Sequence, residues 1–244
     1  MHYVCSDIHG QYALYQEMIS LLALKEEDTL YVLGDMIDRG PESMGVLLDM
    51  MARPNIIPFI GNHEWMMLSY LEDGLYEDNW FDHRNDGLKT YKSYKALPKE
   101  QQEAVRRYLK AAYLQLTVEV DGCTYALHHS YLIESDPLKD FRYEEAPKED
   151  MFDCVWNSPY RFWEHVNPQS YADGRIHIIG HVPAFSIPEN KEHLLPYPNP
   201  ELGEDLLNID GGCASLFFGE SGGLFAMSLE KDAKGKRREI FLPG

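Results

Sequence analysis

The first sixty residues alternate between short apolar runs and amphipathic segments, and this alternation restricts the fold more than any other feature of the chain. "HYVCS", "TLYVL" and "NIIPFI" have the length and composition of buried strands. "QYALYQEMISLLAL" and "ESMGVLLDMMA" lie between them, and the first of these has apolar residues at helical spacing. Strands that alternate with helices at this pitch predict a parallel sheet with helices packed against it.

A polar motif follows each of these three strands. The motifs are "SDIHG", "GDMIDRG" and "GNHE". Because ligands of such sheets bind beyond the carboxyl ends of the strands, the three motifs are predicted to meet at one edge. A single motif of this kind more often caps or packs a strand end, but three in succession indicate a site.

The remainder of the chain has a different pattern. Residues 72–107 are aromatic, polar and interrupted by glycine, and they predict a small helical cap inserted into one domain that spans residues 1–244. A hairpin is expected to turn at Asp121-Gly122, followed by a loop-rich stretch to about Gly174. Later strands are predicted at "RIHIIGH", "DLLNID", "SLFFG", "LFAMSLE" and "REIFLPG".

The charge of the chain limits its partners. Forty acidic residues against 22 lysines and arginines give a net charge of −18. Nucleic acids and anionic membranes bind basic surfaces, so neither is expected as a partner. If the substrate is a phosphate, its attraction must come from local cations, and metal ions are the obvious source.

The amino-terminal residues and the cysteines indicate a cytoplasmic location. "MHYVCSDIHG" lacks the basic and apolar regions of a signal peptide, and no apolar run is long enough to cross a bilayer. The four cysteines are scattered, without a CxxC pair, and are expected to be reduced thiols.

Six side chains that follow predicted strands are oxygen or imidazole donors. They are Asp7, His9, Asp35, Asn62, His128 and His181. Such a mixed set suits two borderline ions such as Mn, Fe or Zn. A carboxylate shared by two ions holds them at the short separation that two-metal hydrolysis requires, and Asp35, after the central strand, is the candidate bridge.

The motifs resemble the signature blocks of a known family. "SDIHGQY", "GDMIDRGPES", "GNHEWMML", "LHHS" and "GHVP" resemble the blocks of calcineurin-like metallophosphoesterases. They are most similar to the phosphoprotein phosphatase branch, which includes bacterial serine/threonine phosphatases and symmetrical diadenosine-tetraphosphate hydrolases. The resemblance implies the α/β fold of that family, a four-layer αββα sandwich of two mixed sheets flanked by helices.

The resemblance also implies a role for each motif residue. Asp7, His9 and His181 would bind one ion, Asn62 and His128 the other, and Asp35 would bridge them. A hydroxide between the ions would be the nucleophile, and His63, oriented by Asp38, would be the general acid. Arg39 would clamp the phosphate, with Asn62 beside it.

Two blocks depart from the family pattern. The histidine block usually reads His-Ala-Gly and here reads "HHS". We assign His128 as the ligand, which leaves His129 as a packed or supporting histidine. A second phosphate-binding arginine usually follows a tryptophan in the pattern W-x-R. This chain reads "VWNSPYRF", so the candidate is Arg161.

These residues predict a dimetal phosphoric ester hydrolase, either a serine/threonine-type phosphoprotein phosphatase or a small phosphomonoesterase. Its substrate would be a phosphorylated protein or a small phosphate ester. Glu64 of "GNHE" favours this reading, because the dinucleotide hydrolases tend to have aspartate there. The alternative is hydrolysis of symmetrical dinucleoside polyphosphates, with cap aromatics stacked on adenine. A non-catalytic scaffold is a third hypothesis, although the chain retains both the ligand set and the acid pair.

Overall fold

A computed structural model describes residues 1–161 and 166–244. The three amino-terminal strands are β1 (His2–Cys5), β2 (Thr29–Val32) and β3 (Ile56–Pro58). They pair in parallel, as the sequence pattern predicts. Two carboxy-terminal strands complete this sheet, β10 (Gly223–Lys231) and β11 (Arg237–Pro243). β10 pairs antiparallel with β1, and β11 pairs antiparallel with β10. The first sheet therefore has the order β11-β10-β1-β2-β3 and is mixed.

The second sheet is formed by the middle of the chain. Its strands are β4 (Tyr113–Val120), β5 (Cys123–His128), β6 (Phe141–Arg142), β7 (Ile176–Ile179), β8 (Tyr197–Asn199) and β9 (Gly203–Asn208). The order is β6-β4-β5-β7-β9-β8. β5, β7 and β9 are parallel, whereas β4, β6 and β8 pair antiparallel, so this sheet is also mixed.

The two sheets pack face to face through an apolar core. Val4 and Leu33 of the first sheet region lie in one buried cluster with Leu127, Ile178 and Leu207 of the second. Alternate residues of a strand point to opposite faces, so these positions define the inner face of each sheet.

Helices cover the outer faces. In chain order they are α1 (Tyr12–Leu22), α2 (Ser43–Met51), α3 (Asn62–Asp73), α4 (Glu77–Trp80), α5 (Gly87–Ala96), α6 (Lys99–Lys110), α7 (Lys148–Trp156) and α8 (Cys213–Leu216). Buried residues of α1, α2 and α3 share a second core cluster with Tyr3 and Leu30 of the first sheet. The predicted α/β architecture of two mixed sheets flanked by helices is confirmed. No helix in the described ranges combines the length and the hydropathy that a membrane span requires.

Two elements differ from the sequence prediction. "SLFFG" was predicted as a strand, but its first residues end the short helix α8, and Phe217 and Phe218 are exposed. A short apolar run cannot be distinguished from a helical turn by periodicity. The stretch predicted as loop before Gly174 contains α7.

The predicted cap segment is helical. Residues 72–107 contain α4, α5 and most of α6. Trp80, at the end of α4, is fully buried, and its ring lies 5.6 Å from the Tyr70 ring and 6.2 Å from the Tyr91 ring. The segment is therefore anchored to α3 by aromatic packing.

The buried Glu64 carboxylate joins the loop after β2 to the start of α3. It accepts hydrogen bonds from the backbone N–H groups of Asp35 (2.9 Å), Met36 (2.8 Å), Ile37 (3.2 Å) and Gly61 (3.0 Å). Burial raises the pKa of Glu64 to about 7, against the lowering effect of these donors. The side chain therefore fixes the loop that carries Asp35.

We expect Glu64→Gln to destabilise the fold by about 3 kcal/mol, because an amide NH₂ would face backbone donors that lose their acceptor. Urea unfolding measures the change. Glu103→Gln, on the exposed side of α6, is the matched control and should change stability by less than about 0.5 kcal/mol. Equal stability of the two variants would contradict the role given to Glu64.

Candidate metal centre and active-site cleft

The residues of the polar motifs have an unusual backbone conformation. Positive φ angles occur at Asp7, His9, Asp35, Asp38, Arg39 and His181, at values between 47° and 72°. For residues other than glycine this left-handed conformation costs on the order of 1 kcal/mol each. Its concentration in the loops at one edge of the sheets indicates that these loops are shaped for function.

Two glycines let the loops approach each other. A Cβ atom at Gly61 would overlap Oδ1 of Asp35, and one at Gly180 would overlap Oδ2 of Asp7 and Oγ of Ser6. Each glycine directly precedes a predicted ligand, Asn62 or His181. The close approach therefore requires glycine at both positions.

Asp35 lies at the centre of the cluster. Its Oδ2 is 3.6 Å from Nε2 of His9, and its Oδ1 is 3.6 Å from Nε2 of His129. Nε2 of His9 is in turn 3.9 Å from Oδ1 of Asp7. On the other side, Oδ1 of Asn62 is 3.2 Å from Nε2 of His129 and 3.0 Å from Nδ1 of His181. Two donor groups that share Asp35 could hold metal ions: His9 and His63 complete one, and His129 and His181 complete the other.

The hydrogen bonds leave imidazole lone pairs directed into the cluster. Nδ1 of His9 lies 3.2 Å from the carbonyl oxygen of Ile37, and Nδ1 of His129 lies 2.7 Å from that of Leu33. Because a carbonyl only accepts, both Nδ1 atoms carry a proton. Burial lowers the pKa of both imidazoles, so the rings are neutral and both Nε2 atoms are unprotonated. The bare Nε2 of His129 then faces two oxygen acceptors, a contact that a cation would make favourable.

The charges of the cluster also fit metal ions. Burial raises the pKa of Asp35 well above its usual range, with the carboxylates of Asp7 and Glu64 as further causes. Burial likewise raises the pKa of Asp210, and Asp7 contributes. Oδ1 of Asp7 is buried and lacks a hydrogen-bond partner among the described residues. Several buried carboxylates with little positive charge beside them are the donor set that divalent cations satisfy.

His128, a predicted ligand, lies outside this cluster. Its Nε2 lies 3.3 Å from Nδ1 of His177, whose own Nε2 is 3.2 Å from Asp173. β5 ends at His128, which points away from the inner face, whereas His129 continues the inward series of Tyr125 and Leu127. The structure thus places His129 where the sequence prediction placed His128.

The grouping of His181 also differs from the prediction. Its imidazole lies with Asp35, His129 and the Asn62 amide, although the resemblance assigned it to the ion of Asp7 and His9. Only its backbone N–H reaches Asp7, at 3.0 Å from Oδ2. The other predicted ligands, Asp7, His9, Asp35 and Asn62, are brought together.

The two residues predicted to form the acid pair are in contact. Nδ1 of His63 lies 2.7 Å from Oδ2 of Asp38, and both side chains are fully buried. The same oxygen accepts a hydrogen bond of 2.8 Å from Nε1 of Trp80. Nε2 of His63 is buried and has no partner among the described residues. His63 also lines the cleft, so this nitrogen is available to a ligand.

The pKa values of the pair are set by burial. Burial, together with the Arg39 guanidinium, lowers the pKa of His63 well below its usual range. Burial raises the pKa of Asp38 to about 7, while the Thr90 hydroxyl and the Trp80 indole lower it. Protonation of His63 is therefore favoured only when further negative charge, such as a phosphate, lies nearby.

Arg39 lies beside the cluster and is held by the cap segment. Its Nε donates to the carbonyl oxygen of Arg84 at 3.1 Å, and Nη2 donates to Oδ1 of Asn85 at 3.4 Å. Nη1 donates to Nε2 of His9 at 2.9 Å. The guanidinium therefore lies directly beside the cluster, and its Nη1 takes the Nε2 lone pair of His9 that a metal ion would use.

A cleft of about 810 Å³ opens onto the cluster. Asp35, Arg39, Asn62, His63 and His181 line its inner end. The outer walls come from the segments after α7, after β7 and around α8, and Arg161 lies in the first of these. None of the described lining residues belongs to the cap segment.

Four further residues lie at the site although they were not among the predicted site residues. They are His129, Glu64, Trp80 and Asp210. Strand alternation in "TYALHH" could have identified His129, and Asp210 follows a predicted strand like the other carboxylates. The contacts of Glu64 and Trp80 join residues distant in sequence, so no local signal identifies them.

Sequence comparisons connect the chain with bacterial enzymes. It is 35% identical over 137 residues to serine/threonine-protein phosphatase 2 of Escherichia coli K12, which covers 52% of the chain and 57% of that protein. It is 39% identical over 69 residues to the symmetrical bis(5'-nucleosyl)-tetraphosphatase of Wigglesworthia glossinidia brevipalpis, which covers 28% of the chain and 25% of that protein. The chain therefore matches about half the length of the first relative and a quarter of the second.

Solved structures share the fold at low sequence identity. A protein serine/threonine phosphatase from Saccharomyces cerevisiae matches with a TM-score of 0.55 and 14% identity, over 99% of this chain and 78% of that one. A cold-active protein-tyrosine phosphatase from Shewanella matches with a TM-score of 0.56 and 16% identity, over 98% and 79%.

The family assignment rests on a match that covers most of the chain. The calcineurin-like phosphoesterase family matches residues 3–219, a range that contains every residue of the cluster described above. The chain belongs to the calcineurin-like phosphoesterase family.

Proposed function

We propose that the chain is a dimetal phosphomonoesterase that acts on phosphoserine or phosphothreonine in proteins, or on small phosphate esters. The observation that supports this most directly is the donor cluster around Asp35, which lies beside both the His63–Asp38 pair and Arg39 at the inner end of one cleft. A metal centre, a proton donor and a phosphate clamp in one place are what phosphate ester hydrolysis requires.

Two ions would be held by opposite sides of Asp35. Asp7 and His9 would ligate one, and Asn62, His129 and His181 the other. When bound, such ions activate water at neutral pH and neutralise the charge of a phosphate.

The chain's own residues would bind the ester and move a proton. Arg39 would hold two phosphate oxygens through its guanidinium fork. Nε2 of His63 would donate a proton to the leaving oxygen, while Asp38 keeps the Nδ1 proton in place.

The charge of the outer cleft favours a monoester over a dinucleoside polyphosphate. Its described lining residues carry one cation, Arg161, against two carboxylates, Glu189 and Glu220. Four linked phosphates would need several cations along their length, and the outer walls do not provide them. Trp156 and Tyr160 could stack on a base, so dinucleotide hydrolysis is the second candidate.

A substrate panel distinguishes the two candidates. With Mn²⁺ present, we expect the kcat/KM for a phosphoserine peptide to exceed that for diadenosine tetraphosphate by roughly tenfold or more, because each unpaired phosphate charge in the cleft weakens binding. Phosphate release and nucleotide chromatography measure the two rates. A higher kcat/KM on the dinucleotide would overturn the monoester proposal, and no turnover of either would overturn phosphoesterase activity.

The ligand role of His129 has a matched control in its neighbour. We expect His129→Asn to weaken binding of the second ion by roughly a hundredfold, because it removes an imidazole ligand. His128→Asn should leave metal content at the wild-type level, since its ring faces His177. Elemental analysis of protein purified without chelator, with circular dichroism to verify folding, measures both. Loss of metal in His128→Asn but not in His129→Asn would show that His128 is the ligand, as the sequence analysis predicts.

A further inference from the structure

Trp80 contacts the acid pair from outside the metallophosphoesterase motifs. It ends α4, within the cap segment, 42 residues after Asp38. Its Nε1 donates to Oδ2 of Asp38 at 2.8 Å, and the same oxygen lies 2.7 Å from Nδ1 of His63. One carboxylate oxygen therefore accepts from the indole and the imidazole together.

The position of the indole is fixed on several sides. The rings of Tyr70, Phe81 and Tyr91 lie 5.6, 5.2 and 6.2 Å from it. Gly87, the first residue of α5, packs so closely that a Cβ there would overlap both Nε1 and the carbonyl oxygen of Trp80. The indole N–H is thus held in one direction, as a positioning group must be.

We propose that Trp80 is a positioning residue for the proton donor, forming the third member of a His63–Asp38–Trp80 chain. This inference rests on the proposed function, because it assigns His63 to leaving-group protonation. The indole N–H holds Oδ2 of Asp38 against His63 Nδ1, and this contact directs Nε2 towards the cleft.

Loss of the indole N–H has a specific kinetic consequence. Asp38 would then lose one of the groups, besides His63 and the Thr90 hydroxyl, that orient its carboxylate, and the His63 imidazole would be less firmly oriented. The hydrogen bonds among His63, Asp38 and Trp80 do not contribute to phosphate binding, so KM is unaffected. Only those substrates whose leaving group must be protonated depend on the direction of Nε2.

The test compares Trp80→Phe with wild type on two phosphate monoesters that differ in their leaving group. We expect kcat on an alkyl phosphate, such as a phosphoserine peptide, to fall roughly tenfold or more. On p-nitrophenyl phosphate, whose leaving group needs little protonation, kcat should fall less than about threefold. KM values and metal content should stay within about twofold of wild type. His63→Asn should show the same selective pattern with a larger loss.

Two further variants separate positioning from packing. Trp65→Phe is the matched control, because Trp65 is buried in α3 and its ring packs on Tyr76 and Phe152. It should show no substrate-selective loss. Gly87→Ala displaces the indole without removing it and should reproduce the selective loss of Trp80→Phe.

The outcomes distinguish this inference from the proposed function. Suppose that wild type hydrolyses both esters. If Trp80→Phe then loses the same fraction of activity on both, or keeps full activity on both, Trp80 is not a positioning residue. If wild type hydrolyses neither ester, the proposed function itself fails. Should thermal melting show that Trp80→Phe is unfolded, site-specific replacement of Trp80 by benzothienylalanine retains the ring shape without the N–H, and the same kinetic criteria apply.

Discussion

The concentration of buried carboxylates at one edge of the two sheets is the constraint on which the rest of the structure depends. Asp7, Asp35, Asp210 and Glu64 are all nearly inaccessible to solvent, and Arg39 is the cation that acts on three of them. Burial of unpaired charge is expensive unless cations or hydrogen-bond donors compensate for it. Glu64 is compensated by four backbone N–H groups, whereas Asp7 and Asp35 each accept a single backbone N–H and lie in the cluster where metal ions could bind.

This constraint accounts for the other features of the site. The loops adopt left-handed backbone conformations and close approaches at Gly61 and Gly180 because several ligands from different strands must reach one point. The helical segment between α3 and β4 shields the acid pair and holds Arg39. None of its described residues lines the cleft, whereas the segments after α7, after β7 and around α8 form the outer walls of the cleft. Specificity is therefore expected to depend on those segments and not on the cap segment.

The sequence predicted the parts of the molecule that depend on local pattern. The amino-terminal strands and helices, the mixed architecture and the meeting of Asp7, Asp35 and Asn62 follow from apolar periodicity and from the rule that strand ends converge. The sequence alone did not place His129 rather than His128 in the cluster, because this depends on where β5 ends, and strand boundaries are poorly defined by sequence. Trp80 and Glu64 act through contacts between distant segments, which only the folded chain reveals.

Anomalous diffraction from crystals of the Mn²⁺-loaded protein tests the central claim most directly, because it locates the ions without reference to activity. We predict two peaks per chain on opposite sides of the Asp35 carboxylate. Asp7 and His9 should ligate one ion, and Asn62, His129 and His181 the other. A peak at the His128–His177 pair, or ions that do not contact Asp35, would contradict the account.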